Sequence, residues 1–331
     1  MLLAAIFGTV PVFGVSINGH SYTMLADWAG ANGFVRGYPA GRGTAVFTNR
    51  NSRLVFEKDS GTAGINGVNV ALSFPVAVDK GQFLVSQLDL ARTVGPLVSA
   101  PQISSKKIST IVLDPGHGGK DPGNRFGTHL EKTYTLLLAQ ELAGQLKAGG
   151  FNVILTRTKD KFVELPTRPD IANRASADLF VSLHFNATAN EPASVEGAEI
   201  YCITPVGAPS SNAQGVGAGS GAAPANLVEK KSLLLAYQVQ RALVKNLGAE
   251  DRGLRRARFA VLRDCEMPAI LVESGYMTHP AEGKKIFDAA YRKQLAAAIV
   301  KGVLNYQKLT TPRATPSDAT TNKVSAVKRP R

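Results

Sequence analysis

The chain has 331 residues, 44% of them hydrophobic, and a formal net charge of +13. That length exceeds the usual single domain and predicts two, and the apolar content is enough for a packed core, which sets aside a disordered chain. The positive charge favours anionic partners, but no helix-turn-helix, RNA-binding signature or zinc-finger spacing accompanies it, so nucleic acid is not read as a partner.

The first fifteen residues, "MLLAAIFGTVPVFGV", resemble the apolar core of a secretory signal. They lack a basic n-region and a clear small-residue cleavage site, so residues 1–15 are read as the remnant of a signal peptide, with an ordinary first strand as the alternative. An extracytoplasmic location, in the periplasm or cell envelope, follows from the first reading. No other stretch approaches the ~18 apolar residues of a membrane-spanning helix.

Residues 16–97 carry short β-like runs, "AVFT", "RLVFE", "VNVALSF" and "FLVS", separated by Gly and Asn turns. Helix-like "YTMLADWAGANG" and "LDLARTVGPLV" lie near the two ends, which together predict a small α+β module. Its "ING" turns and strand rhythm resemble the module at the amino end of copper amine oxidases, which also occurs on bacterial wall enzymes. That resemblance implies a wall-binding or spacer role and no copper. Residues 98–107, with "SAPQISSKK", read as a linker.

From residue 108 to 308 apolar strands alternate with amphipathic helices. "TIVLD", "NVILTR", "DLFVSLH", "AEIYCI" and "AILVES" are the strands; the helices begin at "EKTYTLLLAQ", "LPTRPDIANR", "KKSLLLAYQV" and "YRKQLAAAIV". The alternation predicts an α/β fold, a twisted and mostly parallel sheet with helices on both faces. Residues 205–231 form a Gly-, Ala- and Ser-rich insertion without periodicity, and residues 309–331 a disordered basic tail. Arg313, Lys323, Lys328, Arg329 and Arg331 of that tail face only Asp318, and Arg241 to Arg263 form a second basic stretch. Attraction to anionic wall polymers or membrane and simple solubilising charge both remain open for them. Cys202 and Cys265 are too far apart for a CxxC motif and read as small buried residues, with one disulfide as the alternative.

Three of the strands end in residues that bind metal or move protons: "IVLDPGH" delivers His117, "LFVSLH" delivers His184 and "AILVE" delivers Glu273. Open α/β sheets place their sites outside the carboxyl ends of the strands, so these side chains can converge. Glu131, in the first turn of the helix after a Gly-rich loop, faces the same edge. Two imidazoles, a carboxylate and an open position suit a catalytic zinc ion, with His117, Glu131 and His184 as ligands. Gly116, Gly118 and Gly119 allow the sharp turn and close approach, and Asp114 can orient the loop or an imidazole from behind. Each residue alone has a plainer explanation: a satisfied histidine at a strand end, a first-turn acid favoured by the helix dipole, a carboxylate capping a turn. Their joint occurrence argues for a site. His129, His20 and His279 are expected to be nonligands; there is no HExxH, and "GHGGKDPG" lacks the phosphate-binding pattern.

These segments, in order over nearly all of residues 108–306, resemble the zinc-dependent type 3 N-acetylmuramoyl-L-alanine amidases of bacterial peptidoglycan. The carriers are "IVLDPGHGGKDPG", "LEKTYTLLLAQELAGQLKAGGFNVILTRTKD", "LPTRPDIANRASADLFVSLHFNA", "DRGLRRARFAVLRDCEMPAILVESGYMTHPAE" and "LAAAIVKGVLNY". The resemblance implies Zn2+ on His117, Glu131 and His184, Glu273 as catalytic carboxylate, and hydrolysis of the amide between N-acetylmuramic acid and L-alanine in wall turnover or cell separation. "ESGY" stands where many relatives have Glu-Leu-Gly-Phe, and "HFNA" replaces His-Ala-Asn-Ala. Asn186 and Arg252 are the candidate substrate contacts. Some relatives carry, at the position of the 205–231 insertion, a helix that blocks the zinc until a partner protein displaces it; here Glu229 is the candidate plug, with a plain flexible lid as the alternative. Two rival functions are kept: a wall-binding protein on an inactive amidase fold, and a zinc amide hydrolase acting on free muropeptides.

Overall fold

A computed structural model describes residues 14–37, 43–99, 107–210 and 221–311. Most of the signal remnant, most of the linker, the centre of the insertion and nearly all of the tail lie outside the described residues.

The amino-terminal part runs β1 (Val15–Ile17), β2 (His20–Met24), α1 (Leu25–Ala31), β3 (Val35–Arg36), β4 (Thr44–Thr48), β5 (Arg53–Glu57), β6 (Thr62–Ile65), β7 (Val68–Ala71), β8 (Ala77–Asp79) and β9 (Gln82–Ser86). α2 (Gln87–Asp89) then leads through a π turn into α3 (Gly95–Val98). Tight turns with positive φ at Asn18–Gly19 and Asn66–Gly67 reverse the chain at both "ING" sequences. Tyr22 and Thr23 are buried in β2, so the helix expected over "YTMLADWAGANG" begins only at Leu25.

The second part runs β10 (Thr110–Pro115), β11 (Arg125–Phe126), β12 (His129–Leu130), α4 (Glu131–Ala148), β13 (Asn152–Leu155), α5 (Thr167–Arg174), β14 (Leu179–Asn186) and β15 (Ala198–Cys202). It continues with α6 (Glu229–Leu247), β16 (Asp251–Arg256), α7 (Ala260–Arg263), β17 (Ala269–Tyr276), α8 (Pro280–Phe287) and α9 (Ala289–Thr310). Parallel pairing links β13, β10, β14 and β17, and separately β15 with β16. One antiparallel junction, β15 on β17, joins the two sets. α4, α6 and α9 cover one face through Leu138, Leu142, Leu233, Leu243, Ile299 and Val303; Val261, Leu262 and Ala172 of α7 and α5 close the other over Val112 and Phe180.

β16 lies within "EDRGLRRARF", which composition marks only as basic. Leu254 is its fully buried residue, and it pairs with Val70 of β7. Through that contact β7, β6, β5, β4 and β3 extend the same sheet, which reaches eleven strands. Asn69 donates its backbone N–H to Asp251 Oδ2 at 2.7 Å, and the Tyr237 hydroxyl donates to the Ile65 carbonyl at 3.1 Å. The chain segments on either side of the linker therefore share a sheet and a hydrophobic core.

Cys202 and Cys265 are both buried free thiols. Among the described residues, no helix is long and apolar enough to cross a membrane.

Candidate metal centre and active site

β10, β14 and β17 are near-continuous apolar runs because both their faces are covered, and each turns polar where it reaches the open edge. At that edge His117 Nε2 lies 3.1 Å from Glu131 Oε2, and His184 Nδ1 lies 2.9 Å from Glu131 Oε1. One potential ligand atom from each of the three falls within 4.8 Å of the others, and no other group of three His, Cys, Asp or Glu among the described residues does so. Two imidazole nitrogens and a carboxylate at such spacing fit a borderline divalent cation.

Backbone geometry brings the three together. Glu131 opens α4, and its carboxylate accepts the N–H of Asn124 at 2.8 Å and that of Phe185 at 3.1 Å. His117 takes φ +63°, in the left-handed region, followed by Gly118 at +124° and Gly119 at +57°. A Cβ on Gly116 would stand 2.3 Å from His184 Cε1. These contacts require glycine for the close approach of the loop as well as for its turning.

The buried Arg168 guanidinium braces the loop from behind, donating to Asp114 Oδ1 at 2.8 Å, to the Pro115 carbonyl and to the His117 carbonyl. Arg157 donates to the carbonyls of Pro115 and Gly116. Asp114, which also accepts from Thr156 and Ser182, thus orients the loop. The imidazole of His117 is held instead by Asp121, whose Oδ2 is 2.8 Å from Nδ1, leaving Nε2 turned toward Glu131. Asp121, Asn124, Arg157, Arg168 and Gly123 escape a sequence reading, since only their tertiary contacts reveal their part.

The electrostatics follow from this packing. Burial by itself would raise the Glu131 pKa, but its hydrogen bonds to His117 and His184 outweigh that and hold the carboxyl well below the ordinary range. Burial would lower the pKa of His117, and Glu131 and Asp121 overcome it and raise it. Glu273 behaves oppositely: burial, then the charges of Glu131 and Glu199, push its pKa well up. Its Oε2 is shielded from solvent without a hydrogen-bond partner. An unpartnered oxygen beside an assembled ligand set suits a group that exchanges a proton with something bound there.

Glu273 pairs laterally with His184 on the neighbouring strand. With His117, Glu131 and His184 it lines a cavity of about 350 Å3, walled by Leu165, Phe259 and Val261. A second lobe of about 520 Å3 shares His117, His184, Leu165 and Val261 and extends past Lys120 and Phe162. The cleft is apolar-walled with a polar floor, the usual form of a small-molecule or polymer-end site.

Asn186 and Arg252 lie in a neighbouring polar cluster centred on buried Glu199. Asn186 donates to Glu199 Oε1 at 2.8 Å, Arg255 Nε is 2.7 Å from Glu199 Oε2, and the Arg252 guanidinium stands over the Tyr276 ring at 5.0 Å. His129 stacks on Phe287, His20 on Phe74, and His279 accepts the Glu282 N–H as the cap of α8. Glu229 is occupied by Arg92 at 2.9 Å and by Asn226, apart from the metal set.

A family model described as N-acetylmuramoyl-L-alanine amidase matches residues 111–305. The N-acetylmuramoyl-L-alanine amidase LytC of Bacillus subtilis is 35% identical over 199 residues, 60% of this chain and 36% of LytC. The chain thus spans little more than a third of that relative. Among solved structures, an N-acetylmuramoyl-L-alanine amidase from Clostridium difficile 630 matches with a TM-score of 0.51 and 34% identity, covering 61% of this chain and 98% of that one. The CwlD amidase from Clostridioides difficile, solved in complex with the GerS lipoprotein, matches at 0.51 and 25% identity, covering 61% and 99%. The family match takes in every residue of the metal set and Glu273, and spans more than half of the sequence: the chain belongs to the N-acetylmuramoyl-L-alanine amidase family.

Proposed function

We propose that the chain is a zinc-dependent N-acetylmuramoyl-L-alanine amidase that cleaves the amide between N-acetylmuramic acid and L-alanine in peptidoglycan outside the cytoplasm. The observation that carries this reading is the His117–Glu131–His184 cluster with Glu273 on the adjoining strand, its Oε2 shielded and unpartnered. A zinc ion held by those three side chains would supply Lewis acidity toward the scissile carbonyl and toward water. Asp121 fixes the His117 ring through Nδ1, so that the Nε2 lone pair would be the one offered to the cation beside Glu131. Glu273 takes the proton from the attacking water and returns it to the departing alanine nitrogen, a task suited to a carboxyl whose pKa burial and neighbouring carboxylates raise above the ordinary range. Leu165, Phe259 and Val261 give this cavity apolar walls.

The test is release of alanine amino ends from purified peptidoglycan. Activity that disappears with chelator and returns with zinc is expected, alongside a Glu273→Ala variant that binds zinc and releases nothing. A wild-type protein that binds wall and zinc yet releases no alanine would instead support the inactive wall-binding alternative.

CwlD is solved with a lipoprotein partner, and an activating protein acting on residues 205–231 is the corresponding proposal here. Glu229 as the plug has little support, because Arg92 and Asn226 already engage both of its oxygens. Deleting residues 207–224 tests the activator idea directly: an unchanged basal rate would set aside inhibition by this segment.

A further inference from the structure

The extended sheet places a row of residues on one line with the catalytic carboxylate. Glu273 pairs with Glu199, and Glu199 with Gly253. Leu254 pairs with Val70, so their predecessors Gly253 and Asn69 are neighbours on the opposite face, and a Cβ on Gly253 would lie 3.0 Å from the Asn69 carbonyl oxygen. The row continues from Asn69 to Gly64 and on to Val55. Side chains alternate across a sheet, so all six residues share a face. The reverse face, with Phe56, Ala63, Val70, Leu254, Ile200 and Val272, is buried in the common core.

Two members of the row are glycines, which keeps the surface low. Over Gly64 and Val55 lies an open cavity of about 480 Å3, bordered by Glu57, Ser60, Thr62, Asn69 and Arg252. Arg252 joins the two regions: its Nε is 4.0 Å from Glu199 Oε2, and its side chain also edges this cavity. Gly64 stands four strands from Glu273, a distance of about 19 Å at the usual spacing between strands.

We propose that the trough over Gly64, with Glu57, Thr62, Asn69 and Arg252 on its borders, is a second binding subsite for the glycan strand of the wall polymer. This rests on the amidase reading and extends it. Among the described residues, one carboxylate and one guanidinium leave the trough without net charge, and the remaining polar borders are hydroxyls and an amide. That composition fits an uncharged chain of hydroxyl and acetamide groups. A stem peptide, with free carboxylates, would call for an excess of cations, which the described residues of the trough do not supply. The amino-terminal strands then serve as a lengthening of the catalytic cleft, holding the polymer while the reacting muramoyl unit lies at Glu273.

The full chain is tested with two trough variants. In Gly64→Trp the added Cβ would meet only ordinary contacts, at 3.4 Å to Val55 Cβ and farther, and the indole fills the floor. Glu57→Gln with Thr62→Ala removes a negative charge and a hydroxyl from exposed positions without touching the core. Affinity for an N-acetylglucosamine hexamer, followed by NMR titration, is expected to fall about fivefold in each variant, the size of one lost hydrogen bond. The ratio of kcat/KM on polymeric peptidoglycan to that on a single muramoyl-peptide unit should fall by a similar factor. An unchanged ratio in correctly folded variants overturns the proposal, as does a hexamer that leaves the trough resonances unmoved, or a soluble stem peptide that moves them instead. A wild-type chain that binds the hexamer at the trough but hydrolyses neither substrate removes the amidase reading alone.

Discussion

Arg168 Nη1 stands 2.8 Å from Asp114 Oδ1, with the two side chains 2% and 0% exposed. The same guanidinium donates to the His117 carbonyl, so a buried ion pair supports the loop that carries a candidate metal ligand. Removing one partner leaves the other charge buried and alone, at a cost of about 3–5 kcal/mol. Arg168→Ala is therefore expected to lower the urea midpoint sharply and to reduce zinc stoichiometry. Arg168→Ala combined with Asp114→Ala should cost less than the sum of the single variants, and additive losses would show that the pair is not coupled.

Asp121 offers a gentler perturbation. It is partly exposed, and its role in the site is to hold His117 Nδ1. Asp121→Ala should keep the fold and weaken zinc binding by roughly 10- to 100-fold, as expected when the carboxylate behind a ligating histidine is lost. Competition with a chromophoric chelator measures this, and an unchanged affinity would mean that another group fixes the ring.

What the sequence reveals and what it hides follow from how each residue acts. His117, His184 and Glu273 are legible because each ends a buried apolar strand, a position where a polar side chain is conspicuous. Glu131 is legible because a helix begins there. Asp121, Arg157 and Arg168 sit in loop and helix segments of ordinary polarity; the arginines matter through carbonyls some 40 to 50 residues earlier to which they donate, and Asp121 through the His117 ring nitrogen it holds. β16 is hidden for a different reason. Its "DRGLRR" shows no apolar alternation, since Arg256 is buried by donating to the Ile203 carbonyl and Arg255 is paired with Glu199. Without that strand the junction to the amino-terminal sheet, and the row from Glu273 to Gly64, cannot be read from composition.

Glu273 makes stability depend on pH in the metal-free protein. Its folded pKa is raised, so between the unfolded value of about 4.3 and that raised value the native state holds more protons than the unfolded chain. Stability is then lost as pH rises through this window. Glu273→Gln cannot ionise and should escape the loss. Chelator-treated wild type and variant are expected to have similar denaturant midpoints near pH 4 and to diverge toward neutrality, with the variant the more stable. A constant offset across the range would place the effect in packing instead. Glu131 has the reverse sign, its contribution being present above the unfolded pKa and lost as pH falls toward its depressed folded value, so Glu131→Gln should cost stability at neutral pH.

Three glycines of the metal loop separate crowding from backbone strain. A Cβ on Gly123 would stand 2.6 Å from Glu131 Oε2 and 2.6 Å from His117 Cδ2, at φ +64°. On Gly116 it would stand 2.3 Å from His184 Cε1, with no positive φ. On Gly127 it would meet nothing within 4 Å, although φ is +58°. Gly127→Ala thus isolates the conformational penalty, about 1–2 kcal/mol, and should retain zinc at full stoichiometry. Gly116→Ala isolates the collision and should lose metal with its backbone otherwise unstrained. Gly123→Ala combines both and is expected to lose metal and stability together. Zinc content by elemental analysis, set beside urea midpoints, ranks the three. If Gly116→Ala kept its zinc, the His184 ring would have to move away from the loop without leaving the ligand set, which its contact with Glu131 Oε1 at 2.9 Å opposes.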